Sequence, residues 1–204
     1  MDEVDEAPVP DDAAARGGRD KRVLVESAAA WRAWLTEHHA TSPGVWVVRW
    51  KPSSGRPVLD YEPLVEEALA FGWIDATQRT VDDERTEMWF TRRRPGSGWS
   101  RLTKERLARV EGSGRMTDAG RAVIAAARAD GTWEMYDDAE AGVVAPDLAD
   151  ALAAEPAAAA GWDALTPGVR RAQLRWLAEA RRPATRAARV ERVVRAAAEG
   201  RPAH

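Results

Sequence analysis

Cysteine does not occur among the 204 residues. Its absence excludes disulfides, thiolate nucleophiles and thiolate metal sites, and it suits a cytoplasmic chain. Histidine is nearly as scarce, with only His38, His39 and His204. The first two are consecutive near a helix end, so they face different ways and make a poor metal pair. No His-x-x-x-His spacing exists, and neither a metal nor a cofactor is expected. Lysine is confined to Lys21, Lys51 and Lys104, which leaves arginine as the basic residue almost everywhere. With so much alanine, that reads as a coding bias rather than a functional signal. No apolar run approaches the ~20 residues of a membrane span, and the N-terminus has neither the basic nor the apolar region of a secretory signal. The chain therefore reads as soluble and cytoplasmic. A net charge of −3 argues against a dedicated nucleic-acid binder.

What the chain does contain is tryptophan, ten of them against two tyrosines and two phenylalanines, and a clear division along its length. Residues 1–20 combine Asp, Glu, Pro, Ala and Gly, bury too little to offset chain entropy, and read as a disordered acidic tail. Residues 21–204 read as one domain, α+β over 21–100 and helical over 101–204. Within it, Lys21 to Glu26 is an extended lead-in. Ser27 caps a helix to about His39, with Trp31, Trp34 and Leu35 on one face. Val45 to Trp50 is apolar on both alternations, the pattern of a strand covered on both faces. A helix from Tyr61, with Pro63 in its first turn, ends at a left-handed Gly72. Two strands, Trp73 to Val81 and Thr86 to Arg93, flank a turn at residues 82–84. Beyond Ser100 the spacing predicts helices over 100–112, 117–129, 146–154, 167–181 and 184–199, with breaks at Pro156 and Pro183. The fold class is α+β: a small antiparallel sheet packed by the first helices, then an all-helical C-terminal half.

The stretch from Tyr61 to Ser100 mixes charge with large aromatics, and the candidate site lies there. A turn centred on residues 83–84 places Asp75 across from Arg92, with Arg93 one register step away. The plain reading is a cross-strand ion pair. The functional reading has Asp75 orienting an arginine whose fork grips an anion. Ser100 is a helix cap, and the amides it leaves at that helix start also suit an anion. Glu67, aligned with Leu64 and Phe71, faces the hairpin and pairs with Arg92 or Arg93, or shares a proton with Asp75. Trp73 and Trp99 are core residues or walls of the pocket. The ligand-binding set is thus Glu67, Trp73, Asp75, Arg92, Arg93, Trp99 and Ser100. No histidine stands among them to complete a catalytic dyad, and no catalytic residue is assigned. Arginines from Arg170 to Arg195 read as a solvated face with stems covering apolar surface.

These words occur in a recognisable order: Trp31-Arg32-Ala33-Trp34-Leu35, Gly44-Val45-Trp46, Glu67-Ala68-Leu69, Gly72-Trp73-Ile74-Asp75, Thr91-Arg92-Arg93, Trp99-Ser100, Gly114-Arg115-Met116, Gly131-Thr132-Trp133, and Ala180-Arg181-Arg182 with Thr185-Arg186. From about residue 23 to the C-terminus the chain resembles the YdeI/OmpD-associated family of small bacterial proteins, also labelled bacteriocin-protection proteins. Arg181 stands where that family usually has lysine, and residues 1–20 lie outside its common core. The resemblance implies a stress-response role in tolerance of bacteriocins or antimicrobial peptides, and brings with it no reaction, cofactor or catalytic residue. The leading expectation is a cytoplasmic tolerance protein binding a small anionic or peptide ligand. The alternatives are an enzyme acting on a carboxylated or phosphorylated small molecule, and a nucleic-acid contact through the C-terminal arginines.

Overall fold

The first described element is a short edge strand. The computed structural model describes residues 21–204, so the tail expected at 1–20 lies outside the described residues. Strand β1 (Arg22–Leu24) leads into helix α1 (Ala28–His38), whose start is fixed by the Ser27 hydroxyl accepting the Ala30 N–H at 3.1 Å. The described chain divides into two compact units: residues up to 94 with 109–123, and residues 95–108 with 124–204.

The first unit carries a four-stranded sheet in the order β1-β2-β4-β3. Strand β2 (Gly44–Trp50) runs parallel to β1 and antiparallel to β4 (Arg85–Arg92), and β4 pairs antiparallel with β3 (Trp73–Thr80). The pairs Val45↔Phe90 and Val47↔Met88 place these four side chains on one face. Against that face packs α1, with the Trp31 ring 5.3 Å from Phe90. The Trp31 indole N–H also donates to the Leu64 carbonyl at 3.1 Å, which ties α1 to α2 (Tyr61–Ala70). Full burial of side chains such as Leu35 and Leu64 contributes ~1.5–3 kcal/mol each. The α2 helix is buried from Leu64 to Ala70, including Glu66 and Glu67. Gly72 follows it at φ 73°, where a Cβ would be strained and would stand 2.7 Å from Val123 Cγ2.

The opposite sheet face carries Trp46↔Trp89, Val48↔Glu87 and Trp50↔Arg85 on the central strands, with Arg22 and Leu24 from β1 and Arg79 from β3. The hairpin register differs from expectation. Asp75 lies opposite Phe90, and Arg92 lies opposite Trp73. The pairs next to the turn already stand one residue off the expected register, and an irregularity between Asp75 and Gln78 shifts the pairing by one more, so Asp75 is two residues out at the far end.

The second unit is helical. Helices α3 (Arg101–Gly112) and α4 (Asp118–Ala129) each contribute to both units, and α5 (Asp137–Ala141), α6 (Pro146–Ala153), α7 (Pro156–Ala164), α8 (Pro167–Ala178) and α9 (Pro183–Ala198) belong to the second. Two of these, the short α5 and α7, are not among the helices that the spacing predicts. Pro156, read as a break, instead occupies the first turn of α7, where its missing N–H is harmless. Leu148 and Leu152 of α6, Trp162 of α7, Leu174 and Leu177 of α8, and Val190 and Val193 of α9 form one buried cluster. The architecture is α+β, with an N-terminal sheet-and-helix part and an all-helical C-terminal half.

Candidate functional site

Two glutamates on the buried part of α2, Glu66 and Glu67, need partners, and arginines supply them. Each oxygen of these two carboxylates accepts from an arginine. Glu67 accepts from Arg32 Nη1 and Arg115 Nη1, each at 2.7 Å. Glu66 accepts from Arg109 Nε at 2.8 Å and Arg115 Nη2 at 2.7 Å. Burial alone would raise the Glu66 pKa, but the hydrogen bonds from Arg115 and Arg109 outweigh it and hold the carboxyl below its usual range. With both oxygens engaged, Glu67 is part of a clamp joining α1, α2 and the segment around Arg115. Expected at the hairpin, it is paired with neither Arg92 nor Arg93. The reason is that α2 is buried on every side from Leu64 to Ala70, so its glutamates there meet the arginines of neighbouring elements first.

Asp75 likewise holds no arginine among the described residues; its Oδ2 accepts the Tyr61 hydroxyl at 2.9 Å. The arginine at the end of β4 turns to the α1–β2 loop instead. Arg92 Nη1 donates to the Ala40 carbonyl at 3.3 Å, Trp73 Nε1 to His39 at 3.1 Å, and Thr91 Oγ1 to Pro43 at 2.8 Å. Three carbonyls of one loop are thereby fixed by two strand ends. Arg93 continues the hairpin, its N–H bonding the Gly72 carbonyl at 3.0 Å.

Trp99 and Ser100 belong to the second unit. Ser100 caps α3 as expected, its Oγ accepting the Thr103 N–H at 3.2 Å. One further amide at this helix start, that of Arg101, donates to Glu140 Oε2 at 2.7 Å. The protein's own carboxylate thus takes a place read as open to an anion. Trp99 is buried, its ring 5.1 Å from Trp133. Several of the C-terminal arginines are also engaged internally. Arg186 grips Asp147 with two bonds, at 2.6 and 2.8 Å. Arg189 and Arg192 lie over the Trp176 ring at 4.8 and 5.4 Å.

A site the sequence reading passed over lies beside the loop that Trp73 and Arg92 hold. A cleft of about 320 Å³ is lined by Lys21 and Arg22, by Trp34 and His38 of α1, and by Thr41, Ser42 and Val45. Trp34 is half-buried and braced on three sides: stacked on Trp31 at 5.2 Å, edge-on to Trp73 at 5.8 Å, and against His38 at 4.8 Å. Ser42 Oγ closes the loop by donating to the Gly44 carbonyl at 2.9 Å. The Lys21 ammonium has no ion-pair partner among the described residues. Signals for this cleft were present in the sequence, a lone lysine before the first strand and Trp34 at the edge of a core face. Neither is informative without knowing that β1 lies along the sheet edge.

A second cluster lies on the opposite sheet face. Glu87, 2% exposed, accepts from Arg22 Nε at 2.9 Å and from Arg79 Nε at 2.6 Å, one arginine per oxygen. The Arg79 guanidinium lies 3.9 Å over the Trp46 ring, which packs 5.5 Å from Trp89. Trp89 in turn covers Gly44, where a Cβ would overlap its indole.

Among the described residues, no helix is long and apolar enough to cross a membrane, and no group of His, Asp and Glu is placed to hold a metal ion. No curated protein and no solved structure matches the chain. Residues 23–123, which hold most of the sheet and of the cleft lining but not Lys21 and Arg22, match a domain described as of unknown function, DUF8412. Residues 142–200 match the family described as "Bacteriocin-protection, YdeI or OmpD-Associated", so the resemblance expected from about residue 23 onward is shown over the C-terminal helices, which hold the last of its words, Ala180-Arg181-Arg182 with Thr185-Arg186.

Proposed function

We propose that the chain is a tolerance-associated binding protein of the bacteriocin-protection kind, and that its first unit takes a small anionic ligand in the cleft beside α1. One observation carries this reading: a cleft of about 320 Å³ that combines the Lys21 ammonium, a braced indole and two hydroxyls, while the Arg22 guanidinium turns to Glu87 on the other sheet face. The ammonium supplies charge-assisted bonds worth ~1.5–3 kcal/mol each, the indole supplies a flat apolar contact, and the hydroxyls orient. Trp73 and Arg92 act here as supports, since they hold the carbonyls of His39 and Ala40 and so the position of Thr41 and Ser42. The ligand is a carboxylate or phosphate on a small flat or apolar body, the C-terminus of a peptide included.

The test is titration calorimetry against a panel of aryl carboxylates, phosphate esters and short peptides. Lys21→Ala and Trp34→Leu should each weaken the best ligand by roughly tenfold or more, the loss of one such contact. Arg92→Ala should weaken it less, through a loosened loop. If no panel member binds the wild type, or Lys21→Ala binds as tightly as it, the cleft is not a ligand site.

A further inference from the structure

The sheet face away from α1 has an organisation that neither the clamp at Glu66 and Glu67 nor the cleft explains. Glu87 is a buried carboxylate that accepts only one Nε from each of two arginines. The terminal nitrogens of Arg22 and Arg79 make no hydrogen bond with described residues, and both side chains are half-exposed at 49%. A carboxylate placed this way sets two guanidinium forks side by side with their outer donors unused and leaves the trio one positive charge. Around it stand flat surfaces: Trp46 under Arg79, Trp89 beside Trp46, and Trp50, with Arg56 and Arg85 over its ring at 5.5 and 5.9 Å. Trp89 and Trp50 remain partly exposed.

We infer that this face binds single-stranded nucleic acid. Arg22 and Arg79 would take backbone phosphates, Arg85 being held through two nitrogens by Asp82, and Trp89 would stack a base. The charge fits: fork-shaped donors match phosphate oxygens bidentately, and arginine interleaved with aromatics on an open sheet is the chemistry that grips an unpaired strand. A duplex offers phosphates but no unstacked base, so the tryptophans would be idle against it. The net charge of −3 is no obstacle, because the interaction depends on local charge, and Glu87 offsets only one of the two cations beside it.

The experiment is fluorescence anisotropy of a labelled 12-nucleotide single strand, in DNA and RNA forms, with an unlabelled duplex of the same sequence as competitor. Binding is expected, with the duplex competing at least tenfold less well. Two phosphate contacts give a salt slope near −1.4, or roughly a sevenfold weakening between 50 and 200 mM salt. Trp89→Ala and Arg79→Ala should each weaken binding about tenfold, while Lys21→Ala and Trp34→Leu, which test the cleft, should leave it unchanged. Because Arg79→Ala leaves a buried carboxylate half-paired, the double variant Arg79→Met with Glu87→Gln serves as its folded control and should bind as weakly. No binding at 50 mM salt, equal competition by duplex, or undiminished binding by the double variant would overturn the inference.

Discussion

Replacing Arg115 by methionine tests whether the clamp around α2 holds the first unit together. Arg115 donates through all three nitrogens: Nη1 to Glu67 and Nη2 to Glu66, each at 2.7 Å, and Nε to Ser113 at 2.9 Å. The carboxylate side chains are only 5% and 12% exposed. Removing the partner of a buried carboxylate costs about 3–5 kcal/mol, mostly because the charge stays behind. Here Arg32 and Arg109 remain as second partners, so the expected loss is at the lower end, about 3 kcal/mol. For a chain of this size that is a fall in melting temperature of roughly 6–12 °C. Methionine keeps the apolar stem, which confines the change to the lost fork.

The pH dependence has a definite sign. A depressed carboxyl pKa contributes stability that is present above the unfolded value, about 4.3, and is lost as pH falls through the folded value. The Glu66 carboxyl is of this kind. Wild type should therefore lose stability as the medium is acidified below about pH 4.3, and the gap between wild type and Arg115→Met should narrow there. Urea unfolding followed by tryptophan emission at pH 7 and pH 3 measures both effects. A loss under ~1 kcal/mol at pH 7, or a gap unchanged at pH 3, would mean the clamp behaves as an ordinary surface pair and the reasoning fails.

Two glycine substitutions probe close packing. Gly44→Ala sets a methyl into the Trp89 indole and 2.9 Å from the Phe90 carbonyl, so it should cost about 1–3 kcal/mol and shift the tryptophan emission as Trp89 is displaced. Gly161→Ala should destabilise the helical unit despite the ~1 kcal/mol propensity gain of alanine in a helix, because the methyl would overlap the Ala197 carbonyl group of α9; a rise in melting temperature would refute that close approach.

Periodicity made the elements legible, and close contacts decided what periodicity left open. Trp31, Trp34 and Leu35 at helical spacing, and Val45 to Trp50 apolar on both alternations, predict α1 and β2 because each pattern reports burial directly. Pro156 was misread because proline looks alike as a helix breaker and as a helix starter, and only the residues after it distinguish the two. The ion pairs were harder. Glu67 was expected near Asp75 on helical geometry alone, but its partners come from positions 32 and 115, and nothing in the sequence chooses between these and Arg92. The register slip at Asp75 has the same origin: neither the centre of the turn to within a residue nor the one-residue irregularity inside β3 leaves a mark in a period-2 pattern.

Whether an arginine is structural or available follows from its nitrogens rather than from its exposure. Arg115 and Arg79 are exposed to similar degrees, 33% and 49%. Yet Arg115 spends Nε, Nη1 and Nη2 on the protein itself, and Arg79 spends only Nε. A fork fully used within the fold has nothing to offer a ligand, and its loss is read as instability. A fork held at one nitrogen by a buried carboxylate is oriented in advance, with its remaining donors unspent, so ordering it costs a ligand little. By the same criterion Arg186, with two nitrogens on Asp147 and a third on the Leu177 carbonyl, is structural. The two proposals therefore rest on the edge of the sheet and its face away from α1, where Lys21, Arg22 and Arg79 retain donors that no described residue consumes.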